Sequence, residues 1–302
     1  MIDNGKYTTH YNSPEEIERV LSHSQISFDR IATNKHTGEE IHLHNFRNLT
    51  LGVNYRLCKV SVTGSLTTFC KGNNYTNISF SETVKIIETI CDTLKKDPDE
   101  ILIHRIEYSL IIKTPLQPCT YIENLLSYKK KRFYNQIPPA WSAKPLLSFC
   151  SLQQFVIKFY DTAKWHKLPN VNFLKYEIKF TRAEKVLSIL KKKSPLTFAH
   201  LLAEESFLAL GNFALDVYKM IDTAVTISPG EYRALSNKRR RLLFAGEHPT
   251  FWKMESVINR NTYRKDRKEY LALKDQFKGL HSDPMKDLER KITDTARTLL
   301  KN

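Results

Sequence analysis

Residues 101–112, ILIHRIEYSLII, decide the fold. Apolar residues dominate, broken by His104, Arg105 and Glu107, and the length and β-branched content predict a strand rather than a helix. In a strand Arg105 and Glu107, two apart, share one face, while His104 lies on the other. A carboxylate among apolar neighbours is costly unless it is paired or metal-bound.

Working outward, two more strand-like stretches repeat the pattern. Residues 147–161, LSFCSLQQFVIKFYD, end on Tyr160-Asp161, and residues 173–182, FLKYEIKFTR, carry Lys175, Glu177 and Lys179 on one face. Upstream, 40–46 (EIHLHNF) and 49–62 (LTLGVNYRLCKVSV) read as antiparallel strands. Segments 13–23 and 81–95 have helical spacing, with Ser13 and Ser81 as capping candidates, Pro14 at the first helical position and Glu16 completing a capping box. A helix is expected over 118–128 and a basic, proline-interrupted loop over 129–145. The order predicts an α+β fold, an antiparallel sheet covered by helices. After residue 183 the segments 183–192, 198–221, 229–243, 249–277 and 284–300 all read as helices. This places a boundary near 183–195 and divides the chain into an α+β domain, 1–182, and a basic helical region, 183–302.

The 302 residues carry a net charge of +15. Residues 1–100 are net −2, residues 101–230 net +9 and residues 231–302 net +8. A positive field concentrated in two thirds of the chain attracts polyanions. Five cysteines without CxxC spacing suggest neither a disulfide framework nor a zinc knuckle, and reduced thiols in a cytoplasm fit best. The polar start MIDNGKYTTH has no signal-peptide pattern, and no run reaches the roughly 18 apolar residues that span a bilayer, so no membrane partner is expected.

Three acidic residues sit in strands: Glu107, Asp161 and Glu177. Each has basic neighbours, Lys158 among them. Two readings stay open. One is a solvated sheet face with cross-strand ion pairs. The other is a cationic face on which carboxylates hold Mg²⁺ or Mn²⁺ against a phosphodiester while a nucleophile attacks. Tyr160 and Tyr134 are the nucleophile candidates, since a phenolate attack on DNA leaves a covalent phosphotyrosine. Tyr134 belongs to the basic run YKKKRFY, with Lys129, Lys130, Lys131 and Arg132. These, Lys71 and Lys158 are candidate DNA contacts. So are Arg239, Arg240 and Arg241, and the helix-spaced Arg264, Lys265, Arg267 and Lys268, with Tyr263 and Trp252 near enough in sequence to stack on bases.

The combination GSLTTFCKGNNYTN (64–77), ILIHRIEYSLII, FVIKFYD and LKYEIKF resembles phage and plasmid replication initiators of the gene II/X type and the related Rep_trans rolling-circle initiators. The resemblance covers about residues 50–182. It implies a relaxase-like sheet and origin nicking and joining by a metal-assisted tyrosine. It also implies duplex and single-stranded origin DNA as partner and recruitment of a host helicase; a homodimer is left open. By the same resemblance Glu107 and Glu177 are metal or general-base candidates, Asp161 fills the acidic position of the Tyr-Asp strand and Arg105 meets a phosphate or a structural partner. Thr162 stands where lysine is usual in that pattern, and Lys175 where arginine is common. His42-Leu43-His44 has the spacing that relaxases use for a metal, against the alternative of a surface hairpin. Two other functions remain: a sequence-specific DNA-binding protein without chemistry, initiator or repressor, and an RNA-binding protein.

Overall fold

The computed structural model describes residues 1–22, 25–33, 38–136, 146–224, 233–247, 249–277 and 284–301. Its first strand, β1 (Ile2–His10), is followed by α1 (Pro14–Leu21), β2 (Ile26–Thr33), β3 (Glu40–Phe46), β4 (Leu49–Asn54) and β5 (Lys59–Ser65). Then come α2 (Leu66–Lys71), α3 (Phe80–Leu94), β6 (Leu102–Lys113), α4 (Pro118–Ile122) and the short strands β7 (Leu125–Tyr128), β8 (Lys131–Arg132) and β9 (Tyr134–Gln136). The hairpin β10 (Leu147–Ser151) and β11 (Phe155–Asp161) leads through α5 (Thr162–Trp165) to β12 (Phe173–Phe180). The remainder comprises α6 (Ala183–Leu190), α7 (Glu204–Lys219), β13 (Ile221–Thr223), α8 (Asn237–Gly246), α9 (Pro249–Ile258), α10 (Arg260–Phe277) and α11 (Pro284–Lys301).

One antiparallel sheet runs in the order β2-β3-β4-β5-β1-β6-β12-β11-β10-β9, with β6 near its centre. The fold is α+β, as the strand pattern predicts. On one face Ile106, Tyr108, Leu110, Tyr176, Ile178, Phe180, Ile157 and Phe159 pack into a core with α3, α6, α7 and α11. Helices α6, α7 and α11, which the sequence reading assigns to the second region, therefore share the sheet's core. A separate cluster of Leu242, Leu243, Trp252, Tyr270, Leu273 and Phe277 holds α8, α9 and α10 together. That region is not wholly helical, because β13 pairs with β7, which pairs with β8.

Several boundaries differ from the sequence reading. β1 and β2 lie in stretches that look merely polar. Residues 49–62 split at a turn where the Asn54 side chain accepts a bond from the Leu57 amide, and 147–161 split into the β10–β11 hairpin. The expected helix 118–128 stops at Ile122 and gives way to β7. Helix 198–221 begins as a 3-10 turn and ends before β13, and 249–277 divides into α9 and α10. α3 is capped by Ser79, not Ser81, and Glu82 completes the box by accepting from the Ser79 amide. Part of the expected loop 129–145, from 137 onward, and the start of the expected helix 229–243 lie outside the described residues.

Candidate active site

The opposite face of β6, β12 and β11 carries the polar residues. Register sets their neighbours: Glu107 opposes Lys179, Glu177 opposes both Ser109 and Lys158, and Lys175 opposes Tyr160. Period-two alternation puts Arg105, Glu107, Lys158, Tyr160, Lys175, Glu177 and Lys179 on this one side. Glu107 and Glu177 thus point the same way from adjacent strands. Of the two readings left open, the cross-strand ion pairs of the first are present, Lys158 with Glu177 and Lys179 with Glu107, but the centre of the face is not solvated: Lys175 is 0% exposed, Glu177 3% and Glu107 7%.

Burial at that level requires partners. Lys158 Nζ donates to Glu177 Oε1 at 2.5 Å, and the Tyr160 hydroxyl donates to Glu177 Oε2 at 3.3 Å. Lys179 Nζ lies 3.5 Å from Glu107 Oε1. Lys175 donates to Asp3 and to the Asn74 side-chain oxygen. Asp3 also accepts from the Ser65 hydroxyl at 2.6 Å. Burial works against its ionisation, but the charge and hydrogen bond of Lys175, with Ser65 and Thr67, outweigh that and lower its pKa.

Asp3, Asn4, Asn74, Glu107, Leu147, Lys158, Tyr160, Trp165, His166 and Glu177 enclose a cleft of about 310 Å³. Burial and the negative charge of Glu177 push the Glu107 carboxyl up, against the pull of Lys158 and Lys179. Burial also drives the Tyr160 phenol well above its usual value, helped by the charges of Glu177, Asp3 and Glu107 and by the hydrogen bond to Glu177. Lys175 Nζ sits 5.9 Å from the centre of the Tyr160 ring.

The segment GSLTTFCKGNNYTN builds one wall. Ser65 caps α2, and Gly72 ends it in the left-handed conformation, φ 70°, that favours glycine. The turn delivers Asn74 to Lys175, while Asn77 exchanges two hydrogen bonds with the Ile111 backbone beyond the end of β1. Lys71 pairs with Glu82 outside the cleft.

Other sequence candidates fall elsewhere. Asp161 points to the other face and caps α5 by accepting from the Lys164 amide at 2.8 Å, so it does not join the two glutamates. Tyr134 is 63% exposed on β9, in the row Tyr134, Phe149, Lys158, Glu177. Three strand spacings put it about 14 Å from Glu177. Lys129, Lys130, Lys131 and Arg132 are exposed on the β7–β8 hairpin and at its turn. In α8, Arg239 pairs with Glu269, Arg241 with Glu255, and Arg240 donates to the Arg233 carbonyl. Arg267 stacks on Trp252 at 5.2 Å. Arg264, Lys265 and Lys268 are exposed on α10 without an ion pair among the described residues. His42 and His44 share the face opposite the cleft; His44 is buried and its Nε2 lacks a hydrogen-bond partner. Burial, with the charge of His42, lowers the His44 pKa.

Asp3, Asn74 and Trp165 are cleft residues that the sequence reading did not assign. GNN was visible as a turn; nothing in IDN marked Asp3. Among the described residues no three His, Cys, Asp or Glu side chains gather as a ligand cluster, and no helix is long and apolar enough to cross a membrane.

No family model matches the chain, and no curated protein matches it. Among solved structures it is similar to a rolling circle replication initiator protein from Geobacillus stearothermophilus. The similarity has 13% sequence identity and a TM-score of 0.46, and it covers 80% of this chain and 90% of that one.

Proposed function

We propose that the chain is a rolling-circle-type replication initiator that nicks and rejoins one DNA strand through Tyr160. The observation that carries this reading is the Tyr160 hydroxyl bonded to Glu177 in a cleft that also holds Glu107 and Lys158. A nucleophile whose hydroxyl already donates to a positioned base is the usual arrangement for covalent catalysis. The raised phenol pKa means that Tyr160 keeps its proton at neutral pH. Attack therefore couples to proton transfer: the Tyr160 oxygen bonds to phosphorus, its proton passes to Glu177, and the phosphorus bond to the 3′-oxygen breaks. The 3′-oxygen leaves as a hydroxyl after taking a proton from solvent, and the 5′-phosphate stays on Tyr160. Lys158, which lines the cleft, holds positive charge against the phosphorane as it forms. Reversal by a 3′-hydroxyl rejoins the strand.

Glu107 and Glu177 fit a Mg²⁺ or Mn²⁺ ion, since Mg²⁺ is commonly held by one or two carboxylates and completes its shell with water and phosphate oxygens. Both carboxylates line the cleft from adjacent strands, on the same face. Such an ion would polarise the phosphodiester. Arg105, on the same face, is assigned to a phosphate. The exposed Arg264, Lys265 and Lys268 give the helical region a DNA contact surface.

The test is an SDS-stable covalent adduct on supercoiled DNA carrying the locus that encodes the chain. Tyr160→Phe abolishes it, by at least about 10³-fold, and Glu177→Gln slows it. A Tyr160→Phe variant that forms adduct like wild type overturns the assignment. A second reading, a DNA-binding protein without chemistry, is favoured by one observation: Glu177 and Asp3 already carry ammonium partners. It expects salt-sensitive binding and no adduct with any variant.

A further inference from the structure

We infer that the chain has a second site, a groove between the β7–β8 hairpin and helices α9 and α10, that binds a free nucleoside di- or triphosphate. The groove encloses about 810 Å³ and shares no lining residue with the cleft. One wall comes from β7, β8, β9 and β13, the other from α9 and α10. Helices α8, α9 and α10 pack on a core of their own, so the groove is a junction between two bodies. Small-ligand sites occur preferentially at such junctions, with volumes of roughly 300–1,000 Å³.

Four cations line the groove: Arg132 on β8, Lys253 on α9, and Arg267 and Lys274 on α10. None of the four forms an ion pair among the described residues. Arg239 and Arg241 on α8, by contrast, are spent on glutamates. Four unspent positive charges converging on one concavity suit the closely spaced charges of a pyrophosphate or triphosphate group.

The groove also has aromatic walls. Phe133 lines one side and Tyr263 the other, both half-buried, and a base can stack on either ring. Burial, with the charges of Glu247 and Asp222 and against that of Arg267, pushes the Tyr270 phenol up to about 12. Its hydroxyl therefore keeps its proton and can donate. The influence of Asp222, on β13, upon Tyr270, on α10, also shows that the two walls face each other at short range. Neither the Tyr263 nor the Tyr270 hydroxyl makes a hydrogen bond among the described residues. Asp222 accepts from the Ser127 hydroxyl at 2.5 Å through Oδ2, which leaves Oδ1 for a sugar hydroxyl, a use that nucleotide-binding folds make of a carboxylate. Duplex DNA fits this surface poorly: it presents a convex ridge of phosphates, and the groove is concave with Asp222 and Glu247 in its lining. A nucleotide held by Arg132 on one side and by Lys253, Arg267 and Lys274 on the other ties the helical body to the sheet.

The full-length chain would be titrated calorimetrically with ATP, GTP and inorganic pyrophosphate. The buffer holds no divalent cation, so the cleft carboxylates cannot recruit a nucleotide through a metal. At least one nucleotide is expected to bind about 5- to 150-fold more tightly than pyrophosphate, the range for one base–aromatic stack. Arg132→Gln and Lys253→Gln, exposed residues on opposite walls, should each weaken that nucleotide by about 10-fold, as for one lost charged hydrogen bond. The inference is overturned if neither nucleotide binds, if pyrophosphate binds as tightly, or if the affinity is unchanged in either variant. Displacement of the nucleotide by a duplex oligonucleotide would overturn it too, and would assign the groove to DNA.

Discussion

The lysines of the cleft and the basic residues of α8 and α10 contribute alike to the net charge, yet the fold treats them differently. Lys175 is sealed against Asp3, and Lys158 is held on a nearly buried Glu177. In the helical region Lys238 reaches Asp266 and Glu269, and Arg239 and Arg241 pair with Glu269 and Glu255, all with the basic partner half-exposed or more. Exposed pairs are screened and worth little, whereas buried ones are costly to break. A basic run in a sequence therefore counts charges without saying which are free. Three consecutive arginines, 239–241, look like a DNA contact but are drawn into internal bonds. Arg264, Lys265 and Lys268, less conspicuous in sequence, face outward without an ion pair among the described residues.

The largest effect on stability is expected at Lys175. Lys175→Met leaves Asp3 buried and unpaired and costs about 3–5 kcal/mol, read from urea unfolding at pH 7. An effect no larger than that of an exposed pair would mean that Asp3 and Lys175 are not buried together. The low pKa of Asp3 adds a sign: its contribution is present above the ordinary value near 3.8 and disappears as pH falls through the lower folded value.

Glu107 should behave in the opposite way. Its raised pKa means that the folded chain holds the proton more tightly than the unfolded chain, so ionisation destabilises the fold. Glu107→Gln is expected to be more stable than wild type at pH 7 while forming less adduct. The stability gain should shrink as pH falls towards and below the ordinary value near 4.5. A variant less stable than wild type at pH 7 would show that the Lys179 pair outweighs burial and repulsion.

Smaller effects separate the helical cations. Replacing Arg264, Lys265 and Lys268 with Gln should flatten the salt dependence of duplex binding by about 0.9 per lost phosphate contact. Arg241→Gln should leave that slope unchanged and cost roughly 1 kcal/mol of stability or less. Equal slopes for both variants would erase the distinction between free and committed charge.

The central strands were legible because Arg105 and Glu107, and Lys175, Glu177 and Lys179, keep strict period two amid apolar residues. Their shared face followed from spacing alone, and register then joined them. Asp3 was not legible, because β1 carries Asp, Asn, Lys and Thr where a buried strand is expected to be apolar. Its burial depends on Lys175, 172 residues away. Asp161 misled because a strand-end acid reads as a ligand, while its local work as a helix cap depends on the short α5. Trp165 gave no signal, since one indole after a strand carries no period. The split of 147–161 was hidden because the apolar alternation runs on through the hairpin.

The central claim, that Tyr160 is the attacking residue, is tested most directly by trapping the chain on a nicked substrate, digesting it and locating the nucleotide-bearing peptide by mass spectrometry. The account predicts the modification on Tyr160, in the peptide containing Phe159-Tyr160-Asp161. A nucleotide on Tyr134, or on any other residue, would contradict it.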